Sequence, residues 1–249
     1  MKIFIALTFC ILFCSNFSAF AHTEDELVIN EIEQGLLIFE DEQVAAEYEA
    51  ALKRQRMRRL AAMDWQTKFW IFIKAGVQHI IPKGLDHILF VLGLFFSSLL
   101  LGSLLWQITA FTLAHTITLA LAALGLLQIP SSIVEPIIAL SIAWIAIENC
   151  VFKKPKKWRP FVVFCFGLLH GLGFAAVLTV YGLPKGNLVP LLLAFNIGVE
   201  IGQLLVILAA GLLVWAIRKK EWYRERIQIP VSLTIALFGV FWFFERVFF

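Results

Sequence analysis

Long apolar runs and short polar joints alternate along most of the chain. From residue 85 onward, apolar stretches cover about 85–102, 104–126, 132–152, 160–180, 188–217 and 228–247. Gly125, Pro130, Pro155, Pro184 and Pro230 punctuate the joints between them. About 20 apolar residues in a helix cross roughly 30 Å of hydrocarbon, so each run predicts a transmembrane helix and each joint a turn. Residues 65–84 follow a different pattern. There Trp65, Phe69, Trp70 and Phe72 mix with Lys68 and Lys74 ahead of Pro82 and Gly84, as in an amphipathic segment at a membrane surface. Residues 22–64 are polar, acidic from Glu24 to Glu49 and basic from Lys53 to Arg59. Val28, Ile32, Leu36 and Phe39 recur at helical spacing there, which predicts a solvated helix.

Residues 1–21 have the form of a cleavable signal peptide. Lys2 supplies the positive start, residues 3–13 the apolar core, and Ala19-Phe20-Ala21 the cleavage site. Cleavage makes His22 the mature N-terminus. The expected architecture is all-α: a polytopic membrane helix bundle of six transmembrane helices within 85–249, after the signal peptide, a periplasmic segment and the interfacial segment. Composition agrees, since a chain that is 60% hydrophobic and 16% charged has too little polar surface for a soluble globule. A net charge of +3 gives no case for nucleic acid. Of the four cysteines, Cys10 and Cys14 fall in the signal and Cys150 and Cys165 in or beside spans, so no disulfide framework is implied.

Orientation follows from two independent signals. A signal peptide puts the next residues outside, and six crossings then put loops 1–2, 3–4 and 5–6 inside. Loop 3–4 carries Lys153, Lys154, Lys156, Lys157 and Arg159, and loop 5–6 carries Arg218, Lys219, Lys220, Arg224 and Arg226. This matches the positive-inside rule. The expectation is a multi-pass protein of a bacterial inner membrane with both termini periplasmic.

The candidate chemistry lies inside the spans. His79, His87, His115 and His170, four of the five histidines, sit in or beside them with Asp86, Glu148, Asn149, Asn196, Glu200 and Gln203. Ionisable groups in hydrocarbon are costly and mark function by default. Helical rise puts His115 and His170 about 16–18 Å from the inner ends of their spans and Asn196 about 13 Å from the outer end of its own. Glu148 and Glu200 fall roughly 20 Å from the outer ends. Asp86 and His87 open the first span, with His79 just before them. These depths predict three tiers: an outer mouth, a middle His/Asn layer and an inner carboxylate layer. Asn196, Glu200 and Gln203 share one helix face. Gly167, Gly171 and Gly173 around His170 allow close approach of a helix or ligand. Imidazole, carboxylate and amide donors suit Ni, Co, Zn or Fe(II) better than Cu(I). Glu135 reads as part of a capping box with Ser132, and Glu245 as the partner of Arg246.

These residues carry a resemblance. The segments His79-Ile-Ile-Pro-Lys-Gly-Leu-Asp86-His87, Ala114-His115-Thr-Ile-Thr118, Glu148-Asn149, Phe166-Gly-Leu-Leu-His170-Gly-Leu-Gly-Phe174 and Asn196-Ile-Gly-Val-Glu200-Ile-Gly-Gln203 resemble the HupE/UreJ family of hydrogenase and urease accessory membrane proteins. The resemblance covers roughly residues 76–249. It implies a small helical bundle with a periplasmic N-terminus and Ni2+ or Co2+ as substrate, and it assigns the family's HxxxxxDH-like signature to His79, Asp86 and His87. The family is regarded as secondary nickel or cobalt permeases; here six residues separate His79 from Asp86, one or two more than in the better-known members.

Three functions remain open at this level. The first is transport of a divalent transition metal along a route through His79, Asp86, His87, His115, His170, Glu148, Asn196, Glu200 and Gln203, with the ion (Ni, Co or Zn) as substrate or bound ion. The second is an intramembrane zinc hydrolase, whose His79, Asp86, His87 and His170 would converge on one metal. The third is a scaffold whose polar residues only join helices. The partners expected are the lipid bilayer and the metal ion, with a second copy of the chain or a metalloenzyme-maturation protein as further candidates.

Overall fold

The computed structural model describes residues 42–97, 101–173 and 188–248; the expected signal peptide, His22 and the apolar positions from Val28 to Phe39 lie outside them. The described residues are helical and contain no strand. In chain order they form α1 (Glu42–Ala62), α2 (Trp65–Ile80), α3 (Leu85–Ser97), α4 (Leu101–Ala123), α5 (Ser131–Val151), α6 (Arg159–Gly173), α7 (Leu188–Val214), a π-helical turn (Arg224–Gln228) and α8 (Ile229–Phe248).

Local chemistry sets the helix ends. Asp64 caps α2 by accepting from the Thr67 amide at 2.8 Å and its hydroxyl at 2.7 Å. Those two bonds hold the Asp64 carboxyl below its ordinary pKa. Gly125, at φ +74°, closes α4: its amide bonds to Ala122 O and that of Leu126 to Leu121 O, the paired bonds of a Schellman stop. The capping box expected at Ser132 and Glu135 does not form. The helix starts one residue earlier, and the Pro130 carbonyl receives the Ile133 and Val134 amides instead. Arg224 caps the far end of α5 by donating to the carbonyls of Asn149, Cys150 and Phe152. That contact joins the two basic loops at one end of the bundle, called the basic end below.

Four units (α4, α5, α7 and the π-turn with α8) are long and apolar enough to cross a membrane. The pair α2 and α3 passes the same test jointly but bends by 72° at its break, as a broken span or a re-entrant loop does. Helix α6 is shorter and reaches the edge of the described residues at Gly173. Leu105, Trp106, Leu113, Leu208, Leu212 and Phe241 are exposed on the outside of this bundle, the inverse of a soluble surface. The segment expected to lie on the membrane surface is instead docked on protein. The face of α2 that carries Lys68, Phe72, Gly76 and Ile80 is buried, and α2 packs along α7.

Three helix pairs make the most extensive contacts: α2 with α7, α4 with α6, and α5 with α8. Each is zipped by glycine. A Cβ on Gly76 would strike Phe195 O, and one on Gly198 would strike Ile73 O, so α2 and α7 touch backbone to backbone. Gly167 lies against Phe111 O and Gly171 against His115 O in the second pair. Gly239 sits against Ala143 N and Ala139 O in the third. Of the two helices outside these pairs, α3 packs on α5 and α7.

Valine at Gly76 or Gly198 should overpack the α2–α7 crossing and destabilise the fold by about 1–3 kcal/mol. Alanine at Gly102, which has nothing among the described residues within 4 Å of its missing Cβ, should leave the unfolding temperature unchanged. Thermal unfolding of the purified variants in detergent measures both; equal effects at the three positions would mean that the crossing is not close-packed.

Candidate metal centre

The break between α2 and α3 brings together histidines that the chain keeps apart. His79 is in the last turn of α2 and His87 in the first turn of α3, with a cis Ile81–Pro82 peptide between them. Their rings lie 4.6 Å apart, centroid to centroid. His115, from the middle of α4, is 5.9 Å from each of them. His170, near the end of α6, is 5.0 Å from His87. One ligand atom each from His79, His87 and His115 lies within 4.8 Å of the others, an arrangement that can hold a metal ion. The predicted outer and middle tiers are therefore one layer, because α2 descends along α7 and delivers His79 to the depth of Asn196.

Hydrogen bonds set the tautomers. His115 Nδ1 is 3.0 Å from Asn196 Oδ1, and the Asn196 amide donates to Leu192 O at 2.8 Å. With its NH2 committed to Leu192, Asn196 presents only an acceptor, so Nδ1 of His115 carries the proton. His170 Nδ1 is 2.9 Å from Phe166 O, which likewise only accepts. In both rings Nε2 is thus left with its lone pair. Among the described residues, Nε2 of His87, His115 and His170 is buried without a hydrogen-bond partner. A buried polar atom without a partner costs roughly 1–3 kcal/mol, and neutral imidazole nitrogen oriented by a bond at the other nitrogen is the usual ligand form. Tetrahedral metal–nitrogen bonds of about 2.0–2.1 Å put ligand nitrogens about 3.3 Å apart, so the group would have to tighten by up to about 1.5 Å to hold an ion that way.

The other candidates are held elsewhere. Asp86 accepts from Arg246 Nη2 at 2.8 Å, while Arg246 Nη1 donates to Glu135 O. Arg246 thus pairs with Asp86 and not with the expected Glu245. Glu148 is 3.1 Å from Arg159 Nη1, a pair almost fully buried (4% and 1% exposed). Glu200 accepts from the Thr109 hydroxyl at 2.7 Å and Gln203 from Thr112 at 3.0 Å. Asn196 reaches the group only through His115. Among the described residues, no carboxylate joins the three grouped imidazoles. Asn149 bridges Gly93 O and Arg159 and so ties α3, α5 and α6.

Arg159 escaped the sequence reading as a site residue because it belongs to a basic loop, where charge is expected to be solvated. Glu148, an acid deep in an apolar run, was the available signal that a buried cation stands nearby. Phe90 and Phe111 were also passed over as ordinary apolar residues. Both are fully buried, 5.0 Å apart, and flank His170 at 5.2 and 4.9 Å, forming a wall of the site.

Asn196→Ala frees the His115 tautomer and should weaken metal binding about 10- to 100-fold, the range for loss of a ligand-orienting partner. Gln203→Ala, farther along the same helix, should leave affinity unchanged. Calorimetric titration with Ni2+ and Co2+ separates them, and equal affinities would show that Asn196 does not orient a ligand.

A search of curated proteins and of solved structures finds no match to this chain. A family match is found over residues 53–246, with the HupE / UreJ protein family. That stretch takes in α2 to α7 whole, the second half of α1, most of α8 and every residue of the histidine layer. The chain belongs to the HupE/UreJ family, which is associated with nickel and cobalt uptake or accessory function.

Proposed function

We propose that the protein moves a divalent transition metal, nickel or cobalt, across the membrane through one central site made by His79, His87, His115 and His170. The observation that carries this reading is the site's position at the break of a bent helix pair, with the unpartnered Nε2 atoms of His87, His115 and His170 beside it. Secondary transporters bind substrate near the bilayer midplane where helices are discontinuous. Alternating access to a single site replaces the three-station route expected from the sequence. Membership of a family associated with nickel and cobalt points the same way.

The zinc-hydrolase reading has one observation in its favour, namely that the histidines form one compact group. Against it, Asp86 is committed to Arg246, and the group of described residues contains no carboxylate to act as a general base. The basic loops then lie on the cytoplasmic side, and the inner membrane is the compartment.

Wild-type protein in proteoliposomes should take up Ni2+ or Co2+, and His87→Ala and His115→Ala should each abolish it while the protein remains folded. Metal content after purification discriminates the alternative. A retained zinc ion at one per chain, with uptake indifferent to both substitutions, would favour the hydrolase and end the transport reading.

A further inference from the structure

On the basic-end side of the histidine layer lies a second buried polar layer that metal binding does not explain. Arg159 stands eleven residues before His170 on α6, about 16 Å of helix. Between the two layers lie the Phe90–Phe111 pair and the fully buried Val163. Glu148 meets Arg159 as charge against charge, yet among the described residues neither Glu148 oxygen has a hydrogen-bond partner, and Arg159 Nε has none. Ser97 Oγ, one turn beyond the Gly93 carbonyl that Asn149 holds, is also buried without a partner, as is Gln107 Oε1 on α4. The α4–α6 contacts run in parallel register, Phe111 at Gly167 and His115 at Gly171, which sets Gln107 near the level of Val163. Four helices therefore bring incompletely bonded polar groups to one end of the bundle.

A buried ion pair is a poor stabiliser. Desolvating both charges costs more than their attraction returns unless additional hydrogen bonds complete the geometry, and here they do not. What such a pair does well is define one of two states. Water would satisfy every one of these atoms once the helices part, whereas the closed state leaves them bare.

We propose that Glu148 and Arg159 form the gate on the release side of the histidine site, with Asn149 holding Arg159 in register and the surrounding polar atoms ready to be hydrated when it opens. The ligand of this layer is water, and through water the departing divalent cation, which regains a hydration shell there after passing Phe90 and Phe111. The proposal rests on the transport reading for its direction, and its test does not depend on transport.

The test uses full-length protein in proteoliposomes, with Cys10, Cys14, Cys150 and Cys165 replaced by serine and Val163→Cys as reporter. A membrane-impermeant cationic thiosulfonate is applied on the basic-end side. Glu148→Gln breaks the pair and should raise the labelling rate at least about tenfold, as expected of a shifted two-state equilibrium. Glu148→Leu combined with Arg159→Met fills the same space with apolar groups. It should keep the protein folded and capable of binding metal, yet label more slowly than the parent. Equal labelling rates in all three, with full labelling after denaturation, would overturn the gate. Should Glu148→Gln fail to fold, the double variant decides alone: labelling as fast as the parent's overturns the proposal. Absence of metal binding by the parent itself would strike the transport reading while leaving the labelling comparison intact.

Discussion

Among the described residues, Nε2 of His87, His115 and His170 is buried without a hydrogen-bond partner, and most of the architecture can be understood as what keeps it so. Leaving such atoms bare is tolerable only where the surroundings prevent the rings from turning toward a substitute partner. Asn196 and the Phe166 carbonyl occupy the opposite nitrogens of His115 and His170 and so fix ring direction. Phe90 and Phe111 fill the space into which the His170 ring would otherwise rotate. Glycine contacts then fix the helices themselves, because a helix in contact through its backbone cannot roll without a clash. The cost of the bare nitrogens is thus carried by packing at many positions.

The polar residues divide into those that face the site and those that hold the helices around it. Asp86 with Arg246 and Glu148 with Arg159 lie on either side of the histidine layer, and each joins different helices. The first is partly exposed, at 24% and 20%, and the second is sealed. In this conformation the basic end is the better closed of the two. Both acids read as ligands in the sequence, but each is paired with an arginine in this conformation and so is not a bare carboxylate ligand.

Much of the fold was legible in the chain. The apolar runs of α4, α5, α7 and α8 exceed any soluble pattern, and their ends fell within three residues of those observed. The HupE/UreJ resemblance was readable from the histidine and glutamate motifs. What failed to show was the layout in depth. Periodicity places a residue along its own helix but not relative to a neighbour, so His79 was assigned to a surface segment when α2 runs down α7 into the bundle. The glycines that permit this, Gly76 and Gly198, are single residues on different helices, and nothing local identifies them as partners. Arg246 presents the same difficulty. Its neighbour in the sequence is Glu245, yet the end of the chain returns to the start of α3, and the acid that Arg246 meets there is Asp86.

The three glycine-zipped pairs carry a mechanical consequence. His79 and Asn196 belong to the α2–α7 pair, and His115 and His170 to the α4–α6 pair. His87 rides on α3, which is tethered to the α5–α8 pair by Asp86 with Arg246 and by the Gly93 carbonyl with Asn149. Each stiff pair thus contributes to one common centre. An ion that draws the imidazoles together by up to about 1.5 Å cannot be accommodated inside any single pair; it must pull the pairs against one another. Such an ion would act as a pivot, and a small contraction there would become a larger displacement at the helix ends, where the two arginine contacts lie.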